Sequence, residues 1–478
     1  MQIFILISHI LFLLALGFYL ITALQWFSYK FQRIVFHFTK PLWHLWFLIL
    51  PIVLYFGIST FSSFGFFIFF YVIYLPALFL WHKKLDKKLV FTSRVKRFFV
   101  IFLFAAIFID ILMIQKAQIL PIFLPLFLAF IISFGYEKYQ AMLFKKSAQK
   151  KLENNPNLTI IQITASYGKT SIKNFLFQVL KDDFICYKTP RSVNTLNGLI
   201  KDINENLEPN TQIYIAEAGA RLAGDIDEIT QFLRPQIVVV GEIGAQHIEY
   251  FKTIENIRAT KLEALNSTRL KMAFLHSSTQ KEKSKNVEIY DLNLSNVCAS
   301  LEGTTFDMKF DKIYSFKAPI LGDFNAWNLA VCVCVARYLG LSFEKIQKQI
   351  SKIKSVEHRL EKIEAGGKLI IDDSFNGNFS GMSKSYELAR SYQGRKVIIT
   401  PGIVESTQEE NEKLAKIIND IFDLVMVTSD LNAATFEKII DKNKLIMIKD
   451  KSKMTEILAK ETKAGDLVLF SNDAPNFI

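Results

Sequence analysis

The sequence predicts a multi-span α-helical membrane region followed by two α/β domains, a central one with a mostly parallel sheet and a C-terminal Rossmann-like one. Three observations carry this. All of the +12 formal charge of the 478-residue chain lies in its first 150 residues, which hold 15 Lys/Arg and 3 Asp/Glu, against 42 of each in the remainder. Those same 150 residues hold 27 of the 44 phenylalanines, and basic loops combined with extreme apolarity belong to membrane segments. Beyond residue 157, short β-branched runs alternate with longer amphipathic stretches, the pattern of parallel strands covered by helices. A basic chain invites a nucleic-acid reading, but the charge-neutral remainder excludes it, and no nucleic acid is expected as a partner.

The membrane region is expected over residues 1–150. Residues 1–29 carry no charged side chain, enough for one span of about 20 residues. The 42 residues between Lys40 and Lys83 also lack Asp, Glu, Lys and Arg. That is too long for one helix, and the small residues Gly57, Ser59, Thr60, Ser62 and Ser63 allow a reversal, so the run reads as two spans. Stretches 98–112 and 119–136 add two more around the linker Gln115, Lys116, Ala117, Gln118, giving five. Basic residues gather at Lys30, Arg33 and Lys40, at 83–97, and after residue 137, which sets the N-terminus outside and the rest of the chain in the cytoplasm. The protein is therefore expected to be a multi-pass cytoplasmic-membrane protein in contact with the lipid bilayer. The first span reads as uncleaved, because no basic segment precedes it. Asp110, near the outer end of its helix, is expected to be solvated at the interface.

In the central domain, over 151–355, strands are expected at 158–164, 212–217 and 237–241, and helices at 169–180, 253–266 and 325–339. A helix over 343–353 leads to the boundary. The C-terminal domain, over 356–478, should contain strands at 369–372, 396–400, 424–428, 445–448 and 466–470, and helices at 381–391, 409–422 and 435–440. The four cysteines, Cys186, Cys298, Cys332 and Cys334, lack metal-site spacing and read as reduced core thiols.

Chemistry first surfaces at residues 163–171, Ile-Thr-Ala-Ser-Tyr-Gly-Lys-Thr-Ser, between a strand and a helix. Amides at a helix N-terminus cradle phosphate, the Lys169 ammonium offsets charge on the β and γ oxygens of a nucleotide, and the Thr170 hydroxyl suits Mg²⁺. The eight-residue P-loop pattern requires Gly at 163, where this chain has Ile. Glu217 ends the next long strand, where a carboxylate beside a triphosphate would hold a metal. Lys261 follows His247 by fourteen positions.

Taken in order, these segments resemble the Mur ligases, ATP-dependent amide ligases of peptidoglycan precursor assembly, over about residues 155–475. The nearest branch joins D-alanyl-D-alanine to UDP-N-acetylmuramoyl tripeptide (UDP-muramoyl tripeptide), which would be the small-molecule substrates. The resemblance implies a P-loop-type central domain binding ATP through Thr164, Ser166, Gly168, Lys169, Thr170 and Ser171. It assigns Mg²⁺, two ions, to Thr170, Glu217, His247 and Lys261, the last as a carbamylated lysine, and makes Lys169, Lys261 and His247 catalytic. The loop 194–198, Asn-Thr-Leu-Asn-Gly, brings Asn194 and Thr195 to the substrate. Asn325 and Asn328, in Gly-Asp-Phe-Asn-Ala-Trp-Asn at 322–328, are expected to face adenine. Arg359 at the domain boundary is expected on the phosphates, Asp373 on the nucleotide, and Asn376 and Asn378, in Asp-Asp-Ser-Phe-Asn-Gly-Asn at 372–378, on the substrate.

The chain departs from the family pattern in several places. Ala165 stands where Gly is usual, which requires that position to avoid strongly positive φ. Phe324 replaces a His of the adenine motif. Residues 400–406 keep only Glu405 of their usual motif, and residues 470–473 lack the Lys-Gly-Ser that steadies the dipeptide. The membrane spans occupy the place of the family's UDP-holding domain. Two alternatives follow: a Mur-like ligase acting on a lipid-linked or polymeric acid, or a membrane transporter with a nucleotide-binding domain. Attachment to the membrane also implies association with other membrane-bound precursor enzymes.

Overall fold

The computed structural model describes the chain except residues 1, 28, 30–41, 86, 117, 118, 247, 376, 378, 405, 449 and 473–478. It divides into two compact units, 1–146 and 147–478.

The first unit is helical. It forms α1 (Gln2–Trp26), α2 (Leu42–Ser59), α3 (Ser63–Lys83), α4 (Ser93–Met113) and most of α5 (Phe123–Glu153), which runs on into the second unit. The small-residue reversal falls between α2 and α3, where the Ser62 hydroxyl caps α3 by accepting from the Gly65 amide at 3.1 Å. Among the described residues, α1, α2 and α3 are long and apolar enough to cross a membrane. The stretch 98–112 lies in α4, whose first turns carry Arg94, Lys96 and Arg97, and residues 123–136 of the other stretch form the first half of α5, with Glu137 and Lys138 at its middle. Arg97 donates to Glu137 at 2.5 Å. Phe12, Phe66, Phe70, Phe98 and Phe102 fill the core. Gly17 admits the Phe102 ring, since a Cβ there would lie 2.5 Å from it.

Asp110 corrects the sequence expectation. It is fully buried and its Oδ2 lies 2.7 Å from Nδ1 of the equally buried His9. The remaining polar atoms of the pair, His9 Nε2 and Asp110 Oδ1, have no hydrogen-bond partner among the described residues. A carboxylate away from water needs such a partner, and His9 is about a hundred residues distant in sequence, invisible to any local pattern.

The second unit contains two parallel-stranded sheets and a small antiparallel one. Its first strands are β1 (Thr159–Thr164), β2 (Cys186–Lys188), β3 (Ile213–Glu217), β4 (Ile237–Val240), β5 (Met272–Leu275) and β6 (Val287–Ile289). They form one sheet in the order β2-β3-β1-β4-β5-β6, every pair parallel. Its helices are α6 (Lys169–Leu180), α7 (Leu196–Asn206), α8 (Asp225–Leu233), α9 (Ile248–Phe251), α10 (Ile254–Leu262), α11 (Phe324–Tyr338) and α12 (Phe343–Ile350). Apolar cores lie on both faces, Ile161, Ile163, Leu176 and Leu329 in one and Ile160, Ile203, Tyr214 and Ile229 in the other. Strands β7 (Leu294–Ser300), β8 (Gly303–Lys309) and β9 (Ile313–Ala318) make the antiparallel sheet.

The last sheet has the order β10-β11-β15-β12-β13-β14. It comprises β10 (Glu361–Ala365), β11 (Lys368–Asp373), β12 (Lys396–Thr400), β13 (Leu424–Val427), β14 (Leu445–Met447) and β15 (Leu467–Ser471). Only the β10–β11 hairpin is antiparallel. The predicted boundary helix ends at Ile350 rather than 353. The core-thiol expectation holds for two cysteines of four: Cys332 and Cys334 are buried, Cys186 is partly buried and Cys298 exposed, all reduced. Cys298 lies on β7, a strand with alternating exposure that the sequence reading did not foresee.

Candidate active site

The parallel sheet changes direction at β1, whose neighbours β3 and β4 run to opposite sides. The carboxyl ends of the strands at such a switch point are the usual ligand position of parallel sheets. The loop 165–168 leaves β1 and ends at Gly168, the N-cap of α6, with φ 77°. That left-handed backbone suits glycine, and a Cβ at this position would also lie 2.4 Å from Oδ1 of Asn328. Ala165, by contrast, is not among the residues of positive φ, as its side chain requires.

Lys169 folds back over this loop. Its Nζ donates to the carbonyls of Ala165 at 2.8 Å and Ser166 at 2.9 Å, and to Oε1 of Gln246 at 3.1 Å. Three acceptors use all three N–H bonds, so this is the geometry of the ammonium. Burial, with the Lys261 and Arg359 charges opposing and Glu217 favouring protonation, lowers its pKa to about 7. Ser166 is fixed by its amide on the Glu242 carbonyl at 2.8 Å and its hydroxyl on the Gly244 carbonyl at 3.0 Å.

Glu217 closes β3, fully buried, and holds three donors: Thr170 Oγ1 at 3.1 Å, Asn194 Nδ2 at 3.1 Å and Lys173 Nζ at 3.0 Å. Lys261, on α10, is buried at 3 % exposure. Desolvation lowers its pKa to about 8, against the attraction of Asp225 and Glu263. From the turn just before β10, Arg359 enters the same electrostatic environment. Burial lowers its pKa, while Glu217 and Asp373 act to raise it. Asp373, at the end of β11, is buried and accepts from the Leu360 amide at 3.3 Å. Cationic, hydroxyl and carboxylate groups from two sheets thus converge on a helix N-terminus, an arrangement suited to a polyphosphate and a hard cation.

Residues 163–336 match the Mur ligase middle domain, and residues 358–472 match the Mur ligase, glutamate ligase domain. The chain belongs to the Mur ligase family. It is similar to the UDP-N-acetylmuramoyl-tripeptide–D-alanyl-D-alanine ligase of Bacillus subtilis, with 28% identity over 331 residues, 65% of this chain and 72% of the relative. The structure of MurF from Thermotoga maritima in complex with ADP matches with a TM-score of 0.61 and 27% identity, covering 70% of this chain and 80% of that one. A MurF structure from Acinetobacter baumannii has a TM-score of 0.63 at 20% identity, covering 70% and 78%, and shows the shared fold.

In this Mur ligase the expected site residues fall as follows. Thr170 and Asn194 are hydrogen-bonded to Glu217, and Lys169, Lys261, Arg359 and Asp373 join them through proximity of charge. Thr164 is buried with its hydroxyl unpartnered among the described residues, and Ser171 is buried on the first turn of α6. Thr195 caps α7, accepting from the Gly198 amide at 3.3 Å. Asn325 donates to the Leu321 carbonyl at 2.7 Å and Asn328 to Oδ1 of Asn325 at 3.0 Å, so this amide pair also supports Gly168. His247, Asn376 and Asn378 lie outside the described residues, as does Glu405.

Several participants escaped sequence reasoning. Lys173 sits one turn beyond Lys169 and reads as an ordinary helical lysine until Glu217 is placed beside it. Gln246 gave a faint signal, being next to His247. Asp372 appeared only as part of the 372–378 motif. It is fully buried, 2.7 Å from His358 Nδ1, and it accepts from Ser374, which holds the turn carrying Arg359.

The donor set can be tested against Mg²⁺ directly. Thr170 and Glu217 offer hard oxygen atoms side by side, and Mg²⁺ commonly takes one or two protein oxygens with substrate phosphates completing its sphere.

Proposed function

We propose that this protein is an ATP-dependent ligase that joins D-alanyl-D-alanine to UDP-N-acetylmuramoyl tripeptide in peptidoglycan precursor synthesis. The observation that carries the reading is the convergence of Lys169, Thr170 and Glu217 with Arg359, just before β10, and Asp373, at the end of β11, on a chain whose relatives are ligases of this kind.

A carboxylate is a poor electrophile, so amide formation needs its oxygen converted to a leaving group. The γ-phosphoryl group passes from ATP to the tripeptide carboxylate, releasing ADP. The dipeptide amine then attacks the acyl carbon and loses a proton, and inorganic phosphate departs as the C–N bond forms. Lys169 places a positive charge beside the transferring group, Arg359 adds a second, and Asn194 and Thr195 orient the acid. Mg²⁺, when bound by Thr170, Glu217 and His247, supplies charge neutralisation between the two anions.

Lys261 joins this set as a carbamate. Its amine lone pair adds to CO₂ with loss of a proton, turning a cation into an anionic oxygen ligand. The depressed pKa of about 8 supports this, because a free amine is the reactive form. Asn325, Asn328 and Asp373 complete nucleotide binding, and Asn376 and Asn378 substrate binding.

The three apolar helices favour membrane attachment. With α4 and α5 counted, five spans set the catalytic unit in the cytoplasm beside other membrane-bound precursor enzymes. The same helices favour a second substrate reading, an acid already carried on lipid. The test is phosphate release by the full chain, extracted in detergent from carbonate-washed membranes, with ATP, Mg²⁺, UDP-muramoyl tripeptide and D-Ala-D-Ala, each omitted in turn. Release is expected only with all four. Independence of the dipeptide would refute the assignment, and activity restored only by a lipid-linked acid would select the second reading.

A further inference from the structure

Lys173 is fully buried, and so is its partner Glu217, with Nζ 3.0 Å from Oε2. The same Nζ donates to the carbonyl of Arg191. Arg191 stands at φ 43° in the loop between β2 and α7, the loop that also sends Asn194 to Glu217. A lone cation buried in this way needs an anion, and Glu217 is the only one paired with Lys173 among the described residues. Yet Glu217 is also the carboxylate placed to receive Mg²⁺, and the oxygen that Lys173 holds is the one that Thr170 reaches.

We infer that Lys173 is a positioning residue that stands in for the metal on Glu217 and competes with it. The inference deepens the ligase reading and rests on it. Two cations on one buried carboxylate repel strongly at short range. Glu217 is fixed at a strand end, whereas the lysine has a flexible four-carbon stem, so metal entry displaces the ammonium from Oε2 and leaves it on the Arg191 carbonyl. Between turnovers, Lys173 returns and keeps the carboxylate aimed. Because Asn194 and Lys173 both bridge Glu217 to the 189–195 loop, metal occupancy changes how the acid-binding loop is held.

The test measures Mn²⁺ binding, in the presence of ADP, by electron paramagnetic resonance on the detergent-solubilised full chain. Lys173→Met is expected to bind Mn²⁺ at least tenfold more tightly than the wild type and to raise KM for the acid substrate more than it lowers kcat. Lys173→Arg, which keeps the charge, should restore wild-type Mn²⁺ affinity. If Lys173→Met does not fold, Lys173→Gln retains a donor for Glu217 without the charge and must meet the same criterion. Unchanged or weaker Mn²⁺ binding in a folded, uncharged variant overturns the inference while leaving the ligase reading intact. A wild type that binds no Mn²⁺ with ADP overturns both.

Discussion

Lys169 and Lys261 show how much of this chemistry lies in single side chains. With a pKa of about 7, Lys169 is charged below neutrality before nucleotide arrives; above it, a proton must be taken up together with the phosphates. Nucleotide affinity should therefore weaken as pH rises from 7 to 9, by up to about tenfold per unit. Isothermal titration in buffers of different ionisation enthalpy would report the proton, and pH-independent binding would contradict the placement. Without nucleotide, the unfolded chain binds the extra proton between pH 7 and 10.5, so the folding penalty at this residue shrinks as pH rises through that window. Lys261→Ala should abolish phosphoryl transfer and recover in part with added short carboxylates; undiminished activity would end the carbamate proposal. The phosphate-loop pattern was legible from residue types between a strand and a helix, whereas Glu217 and Lys261 stood out only through the family resemblance. Lys173 and Gln246 were not legible, because only the fold sets them against Glu217 and Lys169.

At the level of elements, long periodic segments were read well and short ones poorly. Helix α6 and strand β12 match their expected bounds, each having a buried face longer than a turn. Strands β2 and β6 have only three residues, too few for any alternation to register, and the antiparallel sheet β7-β8-β9 carries a mixed exposure pattern. The helix pair α1 and α4 holds the plainest failure, since the partner of Asp110 lies on another helix. Asp110→Ala would leave His9 buried without its partner, a loss of about 3–5 kcal/mol if the pair is charged. The helical unit should then melt at lower temperature by circular dichroism in detergent, and His9→Leu with Asp110→Leu should regain most of the loss. An unchanged melt for the single variant would place the carboxylate at the lipid surface after all.

The whole chain joins a strongly basic apolar third to an α/β remainder whose charges cancel, and that contrast sets the expected boundary near residue 150. The two parallel-stranded sheets, which the sequence separates at residue 355, have separate apolar cores yet lie together in one compact unit of 147–478. Unity of that kind has a thermal consequence. In a scanning calorimeter the α/β remainder should absorb heat as a single cooperative peak, distinct from that of the helices. Saturating ADP should move that peak upward, by about 2.7 kcal/mol of stabilisation at a hundredfold excess over Kd, and leave the helical transition where it was. Two separate α/β peaks, only one of them responding to nucleotide, would mean that the sheets unfold as independent bodies.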